Sequence, residues 1–529
     1  MSDGPSYVMP ENVSRTLGRD AQRNNILAAK IIADIVKTTL GPKGMDKMLV
    51  DSSGNIIVTN DGATILQEME IEHPVAKMMV EIAKTQESEV GDGTTTAALL
   101  AGKLLENAEK LLDRKIHPTV IVKGYRMAAE KAVEILKSQS VRISDESMLK
   151  NIARTAMTGK SAEGSKEKLS DIIIGAVKYV GEGNSVSMED IKIEKRKGGS
   201  IDESELIRGV VLDRERANAE MPNMISNARV LLLDIPLEIK NPETETRISV
   251  STPEQLASFV ASEEKYLASI SDKIIKSGAN VVFCQKGIDD VAQYYLARAR
   301  IFACRRISRS DMEKLARATS AKIISNLDDL KNEYLGSAEL VEEIRQGEEA
   351  LTYVRGCKNP HAVTILLRGG TPHIIDETER AIRDGLGDVI AALKSGTIVA
   401  GGGAIEAELS RQILGYARTL GGREQLAVQE FAYSLESIPE TLAENAGLDP
   451  LYIITELKRA HESGKSTFGL NLFTDSLDNT LQAGIVEPTK VKLQAISAAS
   501  EAATMILRID DVLISKMQKK HDEGQYNME

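Results

Sequence analysis

Tryptophan is absent from this chain of 529 residues, and aromatic residues make up only 3% of it. The core must therefore be built from Ala, Val, Ile, Leu and Met, a composition that suits a helix-rich protein. Cysteine is also scarce: Cys284, Cys304 and Cys357 form no CxxC pair. This favours neither a zinc site nor a disulfide framework and indicates a reducing compartment such as the cytoplasm.

Long apolar runs and an excess of basic residues are lacking as well. No stretch of about 18 apolar residues occurs, so no transmembrane helix is expected, and residues 1–15 lack the apolar region of a signal peptide. A net charge of −12 argues against nucleic acid as the main partner. The polar tail 516–529 is expected to be disordered. The length allows two to four domains.

The hydrophobic pattern changes twice along the chain. Helical spacing dominates up to about residue 150 and again from about residue 404, whereas residues 201–400 alternate short apolar runs with helical patterns. Val281–Cys284, a helical stretch at 288–300 and Ile301–Cys304 together have the rhythm of a βαβ unit. This order predicts a mixed α/β module inserted into a mostly helical domain that both chain ends build.

The strongest single motif is GDGTTT at residues 91–96, which directly precedes a helical apolar pattern. Its glycines allow close backbone approach, and a helix N-terminus rich in hydroxyl groups favours an anion such as phosphate. The lysine of a Walker A loop is missing. Asp92 would need a cation, with Mg²⁺ the natural choice, between its carboxylate and a phosphate. Taken alone, the motif is about equally well explained as an ordinary helix cap.

Other segments have simple interpretations when each is considered alone. Asp61 lies in an Asn-Asp-Gly turn, and residues 40–44 form a second glycine-rich turn. The glycines at 401–403 could be a linker before a helix. Asp384 fits a surface carboxylate on a helix, and Lys160 fits a solvated loop lysine.

Considered together, these segments resemble the group II chaperonins, most closely the thermosomes of archaea, which are related to the eukaryotic cytosolic chaperonin TRiC. The resemblance covers residues 15–516. The matching stretches, in the family's order and spacing, are TLGPKGMDKMLV (39–50), NDGATIL (60–66), GDGTTTAALLAG (91–102), TGKSAE (158–163), MPNMISNARVLLLDIPLEI (221–239), DMEKLARATSAKIISNLDDL (311–330), VAGGGAIEAELS (399–410) and VEPTKVKLQAI (486–496).

The resemblance implies a multidomain α+β chaperonin fold with three domains. These would be a mostly helical equatorial ATP-binding domain (1–146 and 401–529), a small intermediate hinge domain (147–213 and 366–400) and an α/β apical substrate-binding domain (214–365). A helical protrusion at about 245–278 would serve as a built-in lid. The residues alone support a helix there, because Thr252-Pro253-Glu254-Gln255 has the pattern of a capping box.

The resemblance also implies an ATPase that uses ATP and Mg²⁺. Asp92 would hold the metal, Asp61 and Asp384 would orient or activate the attacking water, and Lys160 would sense the terminal phosphate. The nucleotide-binding residues it implies are Leu40, Gly41, Pro42, Gly62, Asp92, Gly93, Thr94, Thr95, Thr96, Lys160, Gly402 and Glu487.

The implied partners are identical or paralogous subunits in two stacked rings and non-native proteins, which the rings would encapsulate as ATP hydrolysis closes the lid. Neither nucleic acid nor a membrane is an expected partner. On the residues alone, two other classes stay open. One is a small-molecule phosphotransferase that uses Asp61, Asp92 and Asp384, and the other is a scaffold that does not hydrolyse ATP.

The segment around Asp384 departs from the family pattern. Arg383 replaces a more usual His, and Gly385 and Gly387 fall within a predicted helix. Each glycine costs about 1 kcal/mol relative to Ala in a helix. We therefore predict a looser helix there and slower or less tightly gated hydrolysis.

Overall fold

A computed structural model describes residues 13–160, 162–181, 186–239, 252–346, 349–357 and 362–515. The predicted disorder of the tail 516–529 concerns residues outside these ranges. The same is true of most of the polar N-terminal segment and of residues 245–251 in the predicted lid.

Helices occur along the whole described chain and are most frequent at its two ends. Their bounds are α1 Gly18–Lys37, α2 Gly62–Glu68, α3 Pro74–Val90, α4 Thr94–Asp113, α5 Pro118–Gln139, α6 Glu146–Met157, α7 Lys166–Val180, α8 Pro253–Lys276, α9 Asp290–Arg298, α10 Arg309–Thr319, α11 Pro372–Ser395, α12 Ala404–Ala417, α13 Glu424–Leu435, α14 Ser437–Asn445, α15 Pro450–Glu462 and α16 Thr489–Ile506.

Strands concentrate in the middle of the chain. Their bounds are β1 Val13–Leu17, β2 Lys47–Val50, β3 Ile56–Thr59, β4 Val141–Arg142, β5 Ile191–Lys197, β6 Glu205–Ile207, β7 Gly209–Leu212, β8 Met224–Leu233, β9 Val281–Cys284, β10 Phe302–Cys304, β11 Ile323–Ile324, β12 Gly336–Gln346, β13 Glu349–Cys357, β14 Val363–Gly369, β15 Thr397–Ala400, β16 Phe468–Asn471, β17 Ser476–Asn479, β18 Val486–Pro488 and β19 Asp511–Ser515.

The chain divides into two compact units. Unit 1 consists of Met1–Lys160 and Ser395–Glu529, and unit 2 of Ser161–Lys394. Unit 1 is therefore built from both ends of the chain and unit 2 from its middle. The division into three domains at the boundaries given above stays a prediction.

Unit 1 is a helical body centred on α4, which packs against α1, α3, α13 and α16. Leu100, Leu104 and Leu111 of α4 are completely or almost completely buried in the main apolar core of unit 1.

Helix starts in unit 1 follow local rules: α3, α5 and α15 each begin with Pro, whose missing N–H costs nothing there. Burial of apolar side chains at helical spacing is the main stabilising term.

Short antiparallel strand pairs complete unit 1. β1 pairs with β19, so the two ends of the described chain lie together, and Arg15 Nη2 lies 2.6 Å from Asp511 Oδ2. β2 and β3 form a hairpin. β15 lies between β4 and β18, and β16 pairs with β17.

Unit 2 contains a sheet of seven strands in the order β10-β9-β8-β12-β13-β7, with β11 beside β8. β8, β9 and β10 are parallel and the pairs made by β12 and β13 are antiparallel. Side chains of β9 alternate between two apolar cores, Val281 and Phe283 in one and Val282 and Cys284 in the other. Because both faces of β9 are buried, its sequence is a continuous apolar run.

A second sheet of unit 2 has the order β5-β14-β6. The buried Lys192 of β5 connects this sheet to β7 and α10. Its Nζ atom lies 2.7 Å from the Val211 carbonyl oxygen, 2.9 Å from Glu194 Oε2 and 2.6 Å from Asp311 Oδ1. Such pairing is what makes a buried ammonium tolerable.

Several local predictions match the observed elements closely. The predicted strand Val281–Cys284 is β9, and the predicted helix 288–300 is α9, Asp290–Arg298. α11 runs without interruption through Gly385 and Gly387. Among the residues that the structure describes, no helix is both long and apolar enough to span a bilayer.

Candidate nucleotide-binding site

The GDGTTT motif forms a tight loop between α3 and α4. Gly91 and Gly93 have φ angles of 85° and 81°, a left-handed backbone that glycine adopts without strain. The N-terminus of the 20-residue helix α4 begins directly at Thr94, so its first backbone N–H groups have no partner within the helix. The loop thus presents donors and a helix dipole suited to an anion.

Asp61 lies at the start of α2, against this loop. Its Oδ2 accepts hydrogen bonds from Thr64 N at 2.8 Å and Thr64 Oγ1 at 2.7 Å. Among the described residues, its Oδ1 has only long contacts, 3.4 Å to Ala63 N and 3.4 Å to Thr94 Oγ1. Oδ1 therefore retains capacity to accept a stronger hydrogen bond.

Gly62 allows α2 and the GDGTTT loop to approach each other. A Cβ atom at this position would lie 2.5 Å from Thr95 Oγ1 and 3.1 Å from Thr95 N. Any larger residue would push the two segments apart. The space beside Thr95 therefore depends on the absence of a side chain at position 62.

The turn at residues 40–44 lies against the loop that contains Lys160. Gly41 has a φ angle of 83°, and a Cβ atom at Gly159 would lie 2.4 Å from Pro42 Cα. Asn60 Nδ2 donates to the Gly159 carbonyl oxygen at 3.1 Å. The backbone of Lys160 is thus placed next to the turns that carry Pro42 and Asp61.

The glycines at 401–403 form a second tight loop, directly before α12. Gly402 and Gly403 have φ angles of 64° and 75°, and a Cβ atom at Gly402 would lie 2.5 Å from the Leu470 carbonyl oxygen. The Leu470 N–H donates to the Gly402 carbonyl at 2.8 Å. Only glycine fits this close backbone crossing.

Glu487 lies beside this loop on β18, paired with Val399 of β15. Burial raises the pKa of its carboxyl group, Glu406 acts in the same direction, and Lys492 opposes them. Lys492 Nζ lies 2.7 Å from Glu487 Oε2 and 2.8 Å from Glu406 Oε1. Burial acts to lower the pKa of Lys492, but the two carboxylates raise it well above its ordinary value.

Glu408 and His461 form a buried pair next to β16, the strand whose Leu470 bonds the glycine loop. His461 Nδ1 lies 2.8 Å from Glu408 Oε2, and His461 Nε2 lies 2.8 Å from the Phe468 carbonyl oxygen, at the start of β16. Burial acts to raise the pKa of Glu408, but hydrogen bonds from His461, Arg411 and Gln412 outweigh it and lower this pKa to about 2. The pair thereby fixes β16 against the loop at Gly402.

The site fits a magnesium ion that arrives with phosphate groups. Across the described ranges, no three His, Cys, Asp or Glu side chains group closely enough to hold a metal ion by themselves. Mg²⁺ usually keeps several waters and takes one or two carboxylates plus substrate phosphates. Asp92 lies in the loop at the α4 N-terminus, and its role as a magnesium ligand stays a prediction.

The structure thus brings together most of the predicted site residues within unit 1. Contacts link the turn at 40–44, Asp61, the GDGTTT loop and the loop at Lys160. Gly401 lies against Glu487, and the charge of Asp92 contributes to raising the pKa of the Glu487 carboxyl group, after burial and Glu406. Asp384 lies on α11 in unit 2, and its predicted role in catalysis is not tested by the geometry of unit 1.

Sequence reasoning missed the residues that support these loops. Gln86 Nε2 donates to the Asp92 carbonyl oxygen, and Asn445 Nδ2 donates to the Leu40 carbonyl oxygen at 2.9 Å. Lys492 lies within VEPTKVKLQAI (486–496), and no local pattern there predicts a role for it. The one available signal was that a lysine and glutamates interrupt otherwise apolar helix faces.

The chain matches the family model described as "TCP-1/cpn60 chaperonin family" over residues 32–517. It is similar to the thermosome subunits alpha and beta of Archaeoglobus fulgidus. Identity is 53% with alpha over 98% of this chain and 97% of that protein, and 53% with beta over 98% and 96%. A solved structure, the open state monomer of a group II chaperonin from Methanococcoides burtonii, is 47% identical. It aligns with a TM-score of 0.61 over 79% of this chain and 100% of that one.

Proposed function

The chain belongs to the TCP-1/cpn60 chaperonin family and is an ATP-dependent group II chaperonin subunit, and we propose that it hydrolyses ATP at the site in unit 1. The multidomain α+β fold agrees with this membership. A small-molecule phosphotransferase or a scaffold is not favoured by a family match that covers nearly the whole chain.

One observation carries the proposed ATPase. Glycines at positions 41, 62, 93 and 402 all occupy places where a Cβ atom would lie within 3 Å of a neighbouring atom. Two of these glycines, Gly62 and Gly93, lie at the N-terminus of α4, where backbone N–H groups can bind phosphate. Phosphoryl transfer needs such positioning and charge neutralisation more than covalent chemistry.

The roles of the individual residues follow from their surroundings. Asp92 would hold Mg²⁺, which would neutralise phosphate charge when bound. Thr94, Thr95 and Thr96 would bind phosphate oxygens through their hydroxyl and N–H groups. Asp61 would accept a hydrogen bond from the attacking water at Oδ1, the oxygen that has only long contacts. Asp384 is proposed as a second catalytic carboxylate on the family resemblance alone.

Three isosteric variants would test the proposed ATPase: Asp61→Asn, Asp92→Asn and Asp384→Asn. Steady-state ATP hydrolysis with Mg²⁺ should fall by about 100-fold or more in each, since positioned acid–base groups contribute about 10²–10⁴. Asp113→Asn is the matched control, because Asp113 ends the same helix α4 in an exposed pair with Arg23. A variant with unchanged turnover would remove that residue from the mechanism.

We propose that the subunits assemble with identical or paralogous copies into two stacked rings. Two exposed strand pairs support this proposal. Met48 and Val50 of the β2–β3 hairpin are 67% and 62% exposed, and Leu513 of β19 is 58% exposed. Exposed apolar strand edges are typical sites of pairing with another chain. Native mass measured with Mg²⁺ and ATP tests the assembly, and a monomer would indicate that a paralogous partner is required.

We propose that α8 forms the lid and that non-native proteins are the substrates. Leu267 and Ile274 of α8 are buried in a core of unit 2, whereas Phe259 and Val260 are 41% and 53% exposed. One end of the helix is thus anchored and the other presents apolar surface, which normally marks an interaction site.

Limited trypsin digestion tests the lid, because Lys265 lies in the exposed part of α8. ATP should protect this site in the natural protein and should not do so in Asp384→Asn. Protection that is independent of hydrolysis would contradict the proposed coupling. We further propose a cytoplasmic location, because Cys284, Cys304 and Cys357 are all buried and unpaired, as expected for a reducing compartment.

A further inference from the structure

His461 is a buried ring that faces a hydrogen-bond acceptor at each of its two nitrogens. Its Nδ1 lies 2.8 Å from Glu408 Oε2, and its Nε2 lies 2.8 Å from the Phe468 carbonyl oxygen. The side chains of His461 and Glu408 are 0% and 2% exposed. Only one nitrogen of a neutral imidazole carries a proton, so a neutral ring could donate to only one of these partners.

Glu408 is an acceptor in its contact with the ring. Its Oε1 accepts hydrogen bonds from Arg411 Nη2 at 2.5 Å and Gln412 Nε2 at 2.7 Å, and its Oε2 accepts one from Arg411 Nε at 3.1 Å. Arginine stays protonated in proteins, and an ionised carboxylate can only accept. The pKa of about 2 agrees with an ionised Glu408. The proton between Glu408 and His461 therefore lies on the ring.

The contact with Phe468 requires a second proton on the ring. A backbone carbonyl oxygen can only accept, so Nε2 must also donate. The geometry therefore points to a doubly protonated, positively charged ring. After loss of one proton, a nitrogen lone pair would face an oxygen atom. The charged Glu408 is the stronger acceptor, so the bond to Phe468 would be the one that is lost.

Phe468 begins β16, the strand that crosses the glycine loop at residues 401–403. A Cβ atom at Gly469 would lie 2.6 Å from the Gly401 carbonyl oxygen. The Leu470 N–H donates to the Gly402 carbonyl oxygen at 2.8 Å. Because these contacts leave no space between the two segments, a shift of β16 must displace the glycine loop.

The glycine loop is connected to the GDGTTT loop through Glu487. A Cβ atom at Gly401 would lie 3.2 Å from Glu487 Oε1, which is a close approach. Burial raises the pKa of the Glu487 carboxyl group, and the charges of Glu406 and Asp92 act in the same direction. Asp92 is therefore near enough to Glu487 for its charge to act there.

We propose that His461 is a positioning residue for the nucleotide site. Its doubly protonated ring holds β16 against the glycine loop, and the affinity for nucleotide falls when the ring loses a proton. The proposal rests on the proposed function, in which Gly402 belongs to the nucleotide site, and adds a proton-dependent control of that site. His461 itself does not contact the nucleotide.

Other titratable groups lie on the elements around the ring. α15 packs against α12, α14, β16 and β17, and β16 has no titratable side chain. Besides Glu408, α12, α14 and β17 carry Glu406, Arg411, Tyr416, Glu440, Glu444 and Asp478. α15 itself carries Tyr452, Glu456, Lys458, Arg459 and Glu462. Among the described residues, only Glu408 and Phe468 hydrogen-bond to the ring, so we expect Glu408 to control its protonation.

The test measures the affinity of the assembled protein for ATP with Mg²⁺ between about pH 6 and about pH 10, a range in which histidine can titrate. His461→Gln cannot change its charge, so its affinity relative to the natural protein at each pH cancels the titration of the nucleotide. The natural protein should bind more tightly at low pH. This advantage should fall about tenfold as the pH rises, the order expected for one charge-assisted hydrogen bond.

His117→Gln is the matched control. The His117 ring is exposed and accepts a hydrogen bond from Thr119 N at the start of α5. This variant lacks one imidazole of unit 1 but keeps the buried pair. It should therefore retain the pH dependence of the natural protein.

Glu408→Gln tests the same mechanism from the other side and covers the case in which His461→Gln fails to fold. The new amide can donate to Nδ1, so the ring needs a proton only on Nε2 and keeps its bond to Phe468 without a charge. The affinity of this variant relative to the natural protein should rise about tenfold as the pH rises. Circular dichroism and native mass confirm folding.

The outcomes separate the two proposals. If the natural protein binds no nucleotide, the proposed ATPase is overturned and this inference with it. If it binds ATP but its affinity relative to His461→Gln is the same at every pH, only the positioning role of His461 is overturned, because a merely structural ring would give a constant ratio. The same holds if Glu408→Gln keeps the pH dependence of the natural protein.

Discussion

The side-chain amide of Gln86 donates a 2.8 Å hydrogen bond to the carbonyl oxygen of Asp92 and a longer one of 3.3 Å to that of Val491. Gln86 lies on α3 and is fully buried. It therefore joins the loop at the α4 N-terminus to the first turn of α16. The peptide group that carries the proposed magnesium ligand is held by this amide.

We predict that Gln86→Leu raises KM for ATP about tenfold and lowers Tm by a few degrees. The substitution leaves the partly buried Asp92 carbonyl without this donor, which costs about 1–3 kcal/mol. Measurements of KM and thermal unfolding on the assembled protein check this. Gln67→Leu is the control, because its amide bonds Glu87 at the surface. Equal effects of the two variants would contradict the role of Gln86.

Gly62→Ala should reduce ATP turnover by more than about tenfold while the protein still folds. The new Cβ atom would lie 2.5 Å from Thr95 Oγ1, so Thr95 must move away from its position at the α4 N-terminus. Overpacking of this kind costs about 1–3 kcal/mol. Gly415→Ala is the control: it lies in α12 with no atom within 4 Å of a new Cβ. Turnover near that of the control would show that Thr95 tolerates displacement.

Stability in acid should depend on Glu408. Its pKa of about 2 lies below its ordinary value of 4.5, so its ionised form stabilises the folded state above pH 4.5. This contribution is lost as the pH falls from 4.5 to about 2. The difference corresponds to about 3 kcal/mol. Calorimetric Tm measured between pH 5 and pH 2 should therefore change less steeply in Glu408→Gln.

The control for this pH dependence is Glu424→Gln. The pKa of Glu424 is also lowered, first by a hydrogen bond from Lys123, but this ion pair lies at the surface, where such pairs contribute little. The slope of Tm against pH should stay close to that of the natural protein. If Glu408→Gln behaves in the same way, the buried pair with His461 contributes no acid-dependent stability.

Local patterns were enough to predict many elements and the loops of the site. β9 matches its predicted bounds because an apolar run of four residues between turn signals leaves few alternatives. α4 begins at Thr94 because glycine and hydroxyl residues mark a helix start. The loops at Asp61, Thr94 and Gly402 were grouped by their resemblance to a family, since no local rule joins residues so far apart.

Long-range pairings could not be predicted in this way. β1 and β19 pair through residues 496 positions apart, such as Arg15 and Asp511, and neither strand has a local signal that names its partner. Gln86 and Lys492 likewise look like ordinary helix residues in the sequence. Their roles depend on which carbonyl or carboxylate the tertiary fold brings to them.

The helix that carries Asp384 provides the last prediction. α11 is continuous from Pro372 to Ser395, although Gly385 and Gly387 weaken it by about 1 kcal/mol each relative to Ala. A loosely held helix would place the Asp384 carboxylate less reproducibly, and positioning dominates phosphoryl transfer. We therefore expect Gly387→Ala to raise ATP turnover about two- to fivefold without changing KM. Gly385→Ala should act in the same direction, but less strongly, because Gly385 is buried and an added methyl group must also be accommodated. Steady-state kinetics measure both effects, with Gly415→Ala in α12 as the control for a helical glycine far from Asp384 in the chain. Unchanged turnover in Gly385→Ala and Gly387→Ala would show that the glycines do not limit the rate.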